Sequence, residues 1–134
     1  MAVSELNHYN IRASTELLVE LRDFYCSALG LTVGYRPPFN SVGYWLYAGS
    51  RPLLHLSTAA DAEQRKPHVA NTFDHVAFSC SEFDKMKTRL DTLGISYSVN
   101  IVPRIGQKQI FFEDPAGNGI ELNFDDEASD MRLA

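Results

Sequence analysis

The strongest constraint on the fold of this chain is an internal repeat of similar segments. His75 follows His8 by 67 residues, and Glu121 follows His55 by 66 residues. The four segments are Asn-His-Tyr-Asn-Ile, Leu-Leu-His-Leu, Asp-His-Val-Ala-Phe and Gly-Ile-Glu-Leu. A nearly constant spacing between matched residues indicates two copies of one supersecondary unit. All four residues carry side chains that bind metal ions, so the repeat also predicts a single metal site built from both copies.

Apolar periodicity predicts the same order of elements in each copy. Leucine and aromatic residues recur at spacings of three and four over 15–29, which predicts a helix capped by Ser14 or Thr15 and ended by Gly30. Short alternating segments predict strands. The predicted elements are a strand at 3–12, a helix at 15–29 and strands at 31–36, 42–48 and 52–57, then a strand at 73–80, a helix at 81–93 with Ser81 as its cap, and strands at 95–102, 107–113 and 118–124. The fold class is therefore α+β, with two βαβββ modules.

The length of 134 residues fits one domain that contains both modules. The polar segment between the modules has no apolar periodicity, which predicts a linker with His68 as a solvated loop residue. The predicted domain 1–134 comprises a module at 5–57, a linker at 58–72, a module at 73–125 and a tail at 126–134.

The four metal-binding candidates share one face of their sheets, because successive residues of a strand point to opposite sides. In the last strand Ile120, Leu122 and Phe124 form an apolar face, whereas Glu121 lies on the other face. The same alternation places each of the three histidines opposite the better apolar face of its strand. We therefore expect the helices to cover the apolar faces and the curved mixed sheets to form a cup around the candidates.

Three imidazoles and one carboxylate form a ligand set that suits Zn²⁺, Ni²⁺, Co²⁺, Fe²⁺ or Mn²⁺, and ligand type does not choose among them. Such an ion supplies Lewis acidity to a chelated substrate. Glu121 and His55 are the candidate catalytic residues, because a carboxylate or imidazole beside the ion can accept a proton from the substrate.

Composition narrows the partners and the compartment. The net charge is −5 and no run of like charges occurs, which argues against nucleic acid or an anionic membrane as a partner. No apolar segment approaches the roughly 20 residues of a membrane helix. Cys26 and Cys80 lie in apolar segments and read as reduced thiols, so we expect a cytoplasmic protein.

Four segments together resemble the vicinal oxygen chelate superfamily, which includes glyoxalases, bleomycin resistance proteins and extradiol dioxygenases. They are Leu6-Asn7-His8, Phe24-Tyr25-Cys26-Ser27-Ala28-Leu29-Gly30-Leu31, Asp74-His75-Val76-Ala77-Phe78 and Phe112-Glu113-Asp114-Pro115-Ala116-Gly117-Asn118-Gly119-Ile120-Glu121-Leu122. The resemblance implies a glyoxalase/dioxygenase-like fold, with ligands on the first and last strands of each module. Those positions hold His8, His55, His75 and Glu121. It also implies a homodimer, because many members combine modules from two chains.

Three functions agree with this resemblance. The first is a metal-dependent glyoxalase-like lyase or isomerase that acts on a small oxygenated substrate. The second is an Fe(II) extradiol-type dioxygenase, in which His8, His75 and Glu121 bind iron and His55 acts as acid or base. The third is a metal-free protein that binds a small molecule such as a drug. His55 stands where glyoxalase I usually has Glu or Gln.

Five further residues are candidates for binding the substrate because they share the predicted cup face. Arg12 offers a positive charge to an anionic group, and Trp45 and Tyr47 offer an aromatic wall. Gln109 and Phe111 occupy the matching strand of the second module.

Overall fold

The two predicted modules are present. The protein is described by a computed structural model over residues 2–124, so the predicted tail at 126–134 lies outside the described residues. The chain divides into two compact units, Met1–Pro67 and His68–Ala134.

Each unit contains the βαβββ order that the sequence predicts. The first unit contains β1 (Tyr9–Ala13), α1 (Thr15–Leu29), β2 (Thr32–Gly34), β3 (Gly43–Ala48) and β4 (Arg51–Thr58). The second contains β5 (His75–Cys80), α2 (Phe83–Thr92), β6 (Ser98–Ile101), β7 (Lys108–Glu113) and β8 (Gly119–Phe124). The α+β class is confirmed.

The two sheets have the same strand order. The first runs β1-β4-β3-β2 and the second runs β5-β8-β7-β6. The first and last strands of each module pair in parallel, and the remaining neighbours pair antiparallel. This mixed pairing places the first and last strand of a module side by side, so their side chains meet.

The helix ends show where local sequence signals were sufficient. The Ser14 side chain accepts a hydrogen bond from the Leu17 amide at the start of α1, and Gly30 ends this helix with φ 72°. The prediction of Ser81 as the cap of α2 is wrong, because the N-cap position is Glu82, which has φ 63° and makes no side-chain cap bond. The first strand begins at Tyr9, where pairing with Leu54 starts.

Alternation separates an apolar and a polar face on the strands. In β8, Ile120, Leu122 and Phe124 are at most 1% exposed, whereas their neighbours are half-buried. The Phe83 ring of α2 packs edge-on against Phe124, with centroids 5.2 Å apart. In the first unit α1 contacts all four strands and buries Leu18, Leu21, Tyr25 and Ala28. The other face of each sheet is left for polar side chains.

A tight turn before β8 sets the direction of this strand. The buried carboxylate of Asp114 accepts hydrogen bonds from the backbone amides of Ala116 and Asn118, both at 2.9 Å. Gly117 has φ 88°, a conformation that favours glycine. These bonds fix the chain direction that places Glu121 beside His75. No helix within residues 2–124 is long and apolar enough to cross a membrane.

Candidate metal site

Three rings stack on the polar face of the first sheet. The His55 ring lies 3.7 Å from the His8 ring and 3.9 Å from the Trp45 ring, with interplanar angles of 16° and 9°. Since β4 lies between β1 and β3 and Trp45 is the register partner of His55, the His55 ring is held between the other two. This stack fixes the plane of the imidazole.

The exposed fraction of His55 is 8%, and its Nε2 is buried without a hydrogen-bond partner. Burial lowers the pKa of His55, and the nearby His8 and Arg36 charges lower it further, against a backbone hydrogen bond at Pro52 that raises it. His55 is therefore held neutral at pH 7. A neutral imidazole with an unpaired nitrogen is suited to bind a metal or to accept a proton.

The second sheet brings His75 and Glu121 together. The His75 Nε2 lies 3.3 Å from the Glu121 Oε1. The other carboxylate oxygen, Oε2, accepts hydrogen bonds from the side-chain amides of Asn123 at 2.7 Å and Gln109 at 3.3 Å. Gln109 also donates to Asn123 at 3.0 Å. These two amides hold Oε2, which leaves Oε1 turned toward His75.

Two histidines have an oxygen partner immediately before them in sequence. His8 Nδ1 lies 2.8 Å from Asn7 Oδ1, and His75 Nδ1 lies 2.8 Å from Asp74 Oδ2. Both oxygens only accept hydrogen bonds, so each Nδ1 donates and each Nε2 is directed elsewhere. Sequence reasoning missed these orienting residues, although an Asn-His and an Asp-His pair stand 67 residues apart in the repeat.

The equivalent residues of the two modules occupy equivalent register positions. Trp45 pairs with His55 across β3 and β4, and Phe111 pairs with Glu121 across β7 and β8. Each module thus contributes two of the four predicted ligands beside an aromatic residue. Within residues 2–124 no group of three or more His, Cys, Asp or Glu side chains is placed to hold a metal.

The other predicted substrate residues have definite partners. Arg12 forms a two-pronged ion pair with Glu63, which also pairs with Arg65, and it approaches Ser57 Oγ at 3.5 Å. The Tyr47 hydroxyl donates to the Tyr35 carbonyl at 2.7 Å. Trp45 lies on the polar face, within the ring stack.

A cavity of about 630 Å³ opens in the second unit. His75 and Phe111 line it together with Phe73, Glu113 and His68. His68 lies in an exposed turn, as predicted for a solvated loop residue. Its amide donates to the Ala116 carbonyl at 2.7 Å, and its ring lies against Gly117. A candidate ligand and an aromatic residue thus face a space large enough for a small molecule.

His75 gives a prediction for pH dependence. The hydrogen bond to Asp74 is the largest cause that raises its pKa, and the Glu121 charge adds to it. We expect Asp74→Asn to lower the pKa of His75 in metal-free protein, measured by NMR titration of the imidazole. A histidine pKa that is raised in the folded state stabilises the fold at pH values below the unfolded-state pKa, and this stabilisation is lost as the pH rises through the folded-state pKa. Asp74→Asn should therefore reduce the gain in the free energy of unfolding that His75 contributes at acidic pH. Asp61→Asn is the control, and an unchanged His75 titration in Asp74→Asn would contradict the assignment.

The fold and these residue pairs define a class of protein, in which two βαβββ modules each present a polar site on one sheet face. The sequence model of the Glyoxalase/Bleomycin resistance protein/Dioxygenase superfamily matches residues 6–122, and the chain belongs to this superfamily. The predicted family is thereby confirmed. No curated protein matches the chain significantly.

Solved structures agree with this assignment. A lactoylglutathione lyase from Agrobacterium tumefaciens is 25% identical with a TM-score of 0.66, and the match covers 92% of this chain and 96% of that one. A glyoxalase family protein from Enterococcus faecalis is 28% identical with a TM-score of 0.67, covering 92% and 99%. TnmS3, an antibiotic-binding protein from Streptomyces sp. CB03234, is 20% identical with a TM-score of 0.68, covering 92% and 98%, and shows likeness of fold alone.

Proposed function

We propose that the protein is a metal-dependent glyoxalase-like enzyme, a lyase or isomerase, which acts on a small oxygenated substrate. In this proposal His8, His55, His75 and Glu121 bind one divalent ion. The observation that carries it is the contact between His75 Nε2 and Glu121 Oε1 at 3.3 Å. Because His75 Nδ1 donates to Asp74, a neutral His75 turns a lone pair toward a carboxylate, and only a proton or a cation between them makes this contact favourable.

The chemistry of the remaining donors supports a metal. His55 Nε2 is a buried nitrogen without a partner, which is unusual unless a ligand supplies one. Imidazole and carboxylate together suit Zn²⁺, Ni²⁺, Co²⁺, Fe²⁺ and Mn²⁺. The partners Asn7, Asp74 and Asn123 orient the ligands as outer-shell residues do in metal sites.

Each residue has a role in the proposed reaction. The bound ion supplies Lewis acidity toward a substrate with adjacent oxygens. Glu121 would leave the ion to accept a proton from the substrate carbon at Oε1, while Asn123 and Gln109 keep Oε2 occupied. Trp45 fixes the plane of His55 and presents an aromatic surface to the substrate. In the second module the substrate is enclosed by Phe111 and by the cavity beside His75.

We propose that the working form is a homodimer, as in many members of the superfamily. Each module contributes one pair of ligands, so a site needs one module of each kind, from one chain or from two. Sedimentation at micromolar concentration should give twice the mass of the 15.0 kDa chain. A monomer under these conditions would contradict the proposal.

His55 favours a second candidate, an Fe(II) extradiol-type dioxygenase. His8, His75 and Glu121 alone provide the two-histidine, one-carboxylate set that such enzymes use. The lowered pKa of His55, caused mainly by burial, keeps its imidazole neutral and able to accept a proton from a catechol.

A substrate panel tests the proposed function against this candidate. Protein loaded with Zn²⁺, Ni²⁺ or Fe²⁺ is assayed with 2-oxoaldehyde–thiol adducts and with catechols. We expect turnover of adducts that depends on the metal and needs no oxygen. Catechol cleavage that requires Fe²⁺ and O₂, without adduct turnover, would select the dioxygenase. Ligand binding without turnover of either would favour a binding protein.

The hydrogen bonds that side-chain amides donate to Glu121 give a graded prediction. Removing the Asn123 amide frees Oε2 and loosens the carboxylate, so Asn123→Leu should weaken Zn²⁺ affinity by roughly 10–100-fold. Asn100 donates to Gln109 Oε1 at 3.0 Å and is thus one residue removed from Glu121, so Asn100→Leu should cause a much smaller loss. Competition with a chromophoric chelator measures both, and equal losses would show that Asn123 does not position Glu121.

A further inference from the structure

A second buried polar atom without a partner lies in the same unit as His55. The Nε of Arg36 is buried and makes no hydrogen bond. Arg36 lies in the loop between β2 and β3. Buried donors without acceptors are uncommon in folded proteins, so this N–H calls for a specific explanation.

The guanidinium of Arg36 is held in place by its own loop. Its Nη1 donates to the Ser41 carbonyl at 2.9 Å, and its Nη2 donates to Ser41 Oγ at 3.2 Å. Its Cζ lies over the Phe39 ring at 4.8 Å. The guanidinium occupies the space where Gly43 lacks a side chain, since a Cβ there would lie 2.7 Å from Arg36 Cζ. These contacts fix the group and use two of its five N–H donors.

The charge of Arg36 has no carboxylate partner among residues 2–124. The other arginines that contact side chains in this unit do have one, because Arg12 and Arg65 pair with Glu63 and Arg22 pairs with Asp23. Since the Nε–H is buried, the donors open to an external carboxylate are the second N–H groups of Nη1 and Nη2, which the bonds to Ser41 leave unused. A fixed guanidinium with these donors and no counter-ion is suited to bind such a carboxylate.

Its position relates it to the candidate metal site. Gly43, beneath the guanidinium, is the register partner of Ser57, and Trp45 is the partner of His55. The Gly43–Ser57 pair and the Trp45–His55 pair lie two residues apart along the strands, about 7 Å. The centroid of the Phe39 ring lies 6.3 Å from that of the Trp45 ring. An anionic group at Arg36 and a chelating group at His55 are therefore separated by about one aromatic ring.

We propose that Arg36 binds the carboxylate of a flat substrate whose oxygens at the other end reach the ion at His55. The substrate class is then an aromatic or conjugated acid that lies against Phe39 and Trp45. This inference rests on the proposed function for the chelating end only. Arg36 determines specificity and takes no part in proton transfer.

The first test needs no metal. Trp45 is the only tryptophan of the chain, so quenching of its fluorescence reports binding beside it. The probes are 4-nitrobenzoate and the neutral 4-nitrobenzamide. Wild-type protein should bind the carboxylate at least about 10-fold more tightly, as expected for charge-assisted hydrogen bonds. Arg36→Met should reduce this ratio to about one, and Arg36→Lys should keep part of it.

Arg22→Met is the matched control. Arg22 also lies over an aromatic ring, that of Tyr44, at 4.9 Å, but on α1 and with Asp23 as its partner. The probe ratio should stay at the wild-type value in this variant. A ratio near one in wild type, the same ratio in all variants, or no quenching at millimolar probe would overturn the proposal.

A second test separates Arg36 from the metal. Hydroxamates chelate divalent ions through adjacent oxygens, so Zn²⁺-loaded protein is titrated with benzohydroxamate and 4-carboxybenzohydroxamate by calorimetry. The carboxylate should add at least about 10-fold affinity in wild type and none in Arg36→Met. If neither hydroxamate binds but the nitrobenzoate ratio holds, the chelating site is wrong and Arg36 remains the anion site. If the hydroxamates bind equally well in all proteins, Arg36 does not bind the anion.

Discussion

Replacement of His55 by alanine should weaken Zn²⁺ binding at least about 100-fold, beyond the usual loss for an outer-shell residue. His55 is the most buried of the candidate ligands, and its Nε2 has no protein partner. Its removal takes away a ligand and also the ring between His8 and Trp45. Competition with a chromophoric chelator at pH 7.5, about one unit above the ordinary histidine pKa, measures the affinity.

The matched control for this prediction is His68→Asn. His68 is also a histidine, but it lies in a loop, and Asn tolerates its φ of 60°. Wild-type affinity is expected in this variant. Similar losses in both variants would show that the effect of His55→Ala is not specific. Unchanged affinity in His55→Ala would remove His55 from the ligand set.

Leu122→Ala should lower the free energy of unfolding by about 2–5 kcal/mol. Leu122 is 0% exposed and lies on the apolar face of β8, between two residues of the polar network on the other face. Its truncation leaves a cavity in the core of the second module. Urea denaturation followed by circular dichroism measures the loss.

Leu6→Ala is the control for the core, because Leu6 is 71% exposed. Its free energy of unfolding should stay within about 0.5 kcal/mol of wild type. Equal losses in the two leucine variants would contradict the assignment of the apolar face. A loss of metal affinity in Leu122→Ala at full folding would show that the core also positions Glu121.

Much of the fold follows from local sequence patterns. The helix predicted at 15–29 is observed at Thr15–Leu29, because its apolar period, its Ser14 cap and its Gly30 end agree. The start of β1 was predicted too early, because strand ends depend on pairing with a distant strand and not on local alternation. The cap of α2 was missed for a related reason, since Glu82 adopts a positive φ that its residue type does not announce.

The candidate site was only partly predictable. Strand alternation identified the polar face, and the pair formed by His75 and Glu121 is observed on it. The roles of Asn123 and Arg36 depend on distances across strands and loops, which periodicity does not encode. The prediction that Arg12 binds substrate rests only on the strand alternation that places it on the predicted cup face. Strand alternation does not reveal that Glu63 lies within reach of Arg12.

The most direct test of the account is a crystal structure of the Zn²⁺-loaded protein with anomalous data at the zinc edge. The account predicts one ion bound by nitrogens of His8, His55 and His75 and by an oxygen of Glu121, with the nitrogens at about 2.0–2.1 Å. These ligands come from the two modules of one chain or from modules of the two chains of a dimer. Zinc bound elsewhere, or the four side chains directed to separate places around no common centre, would contradict it.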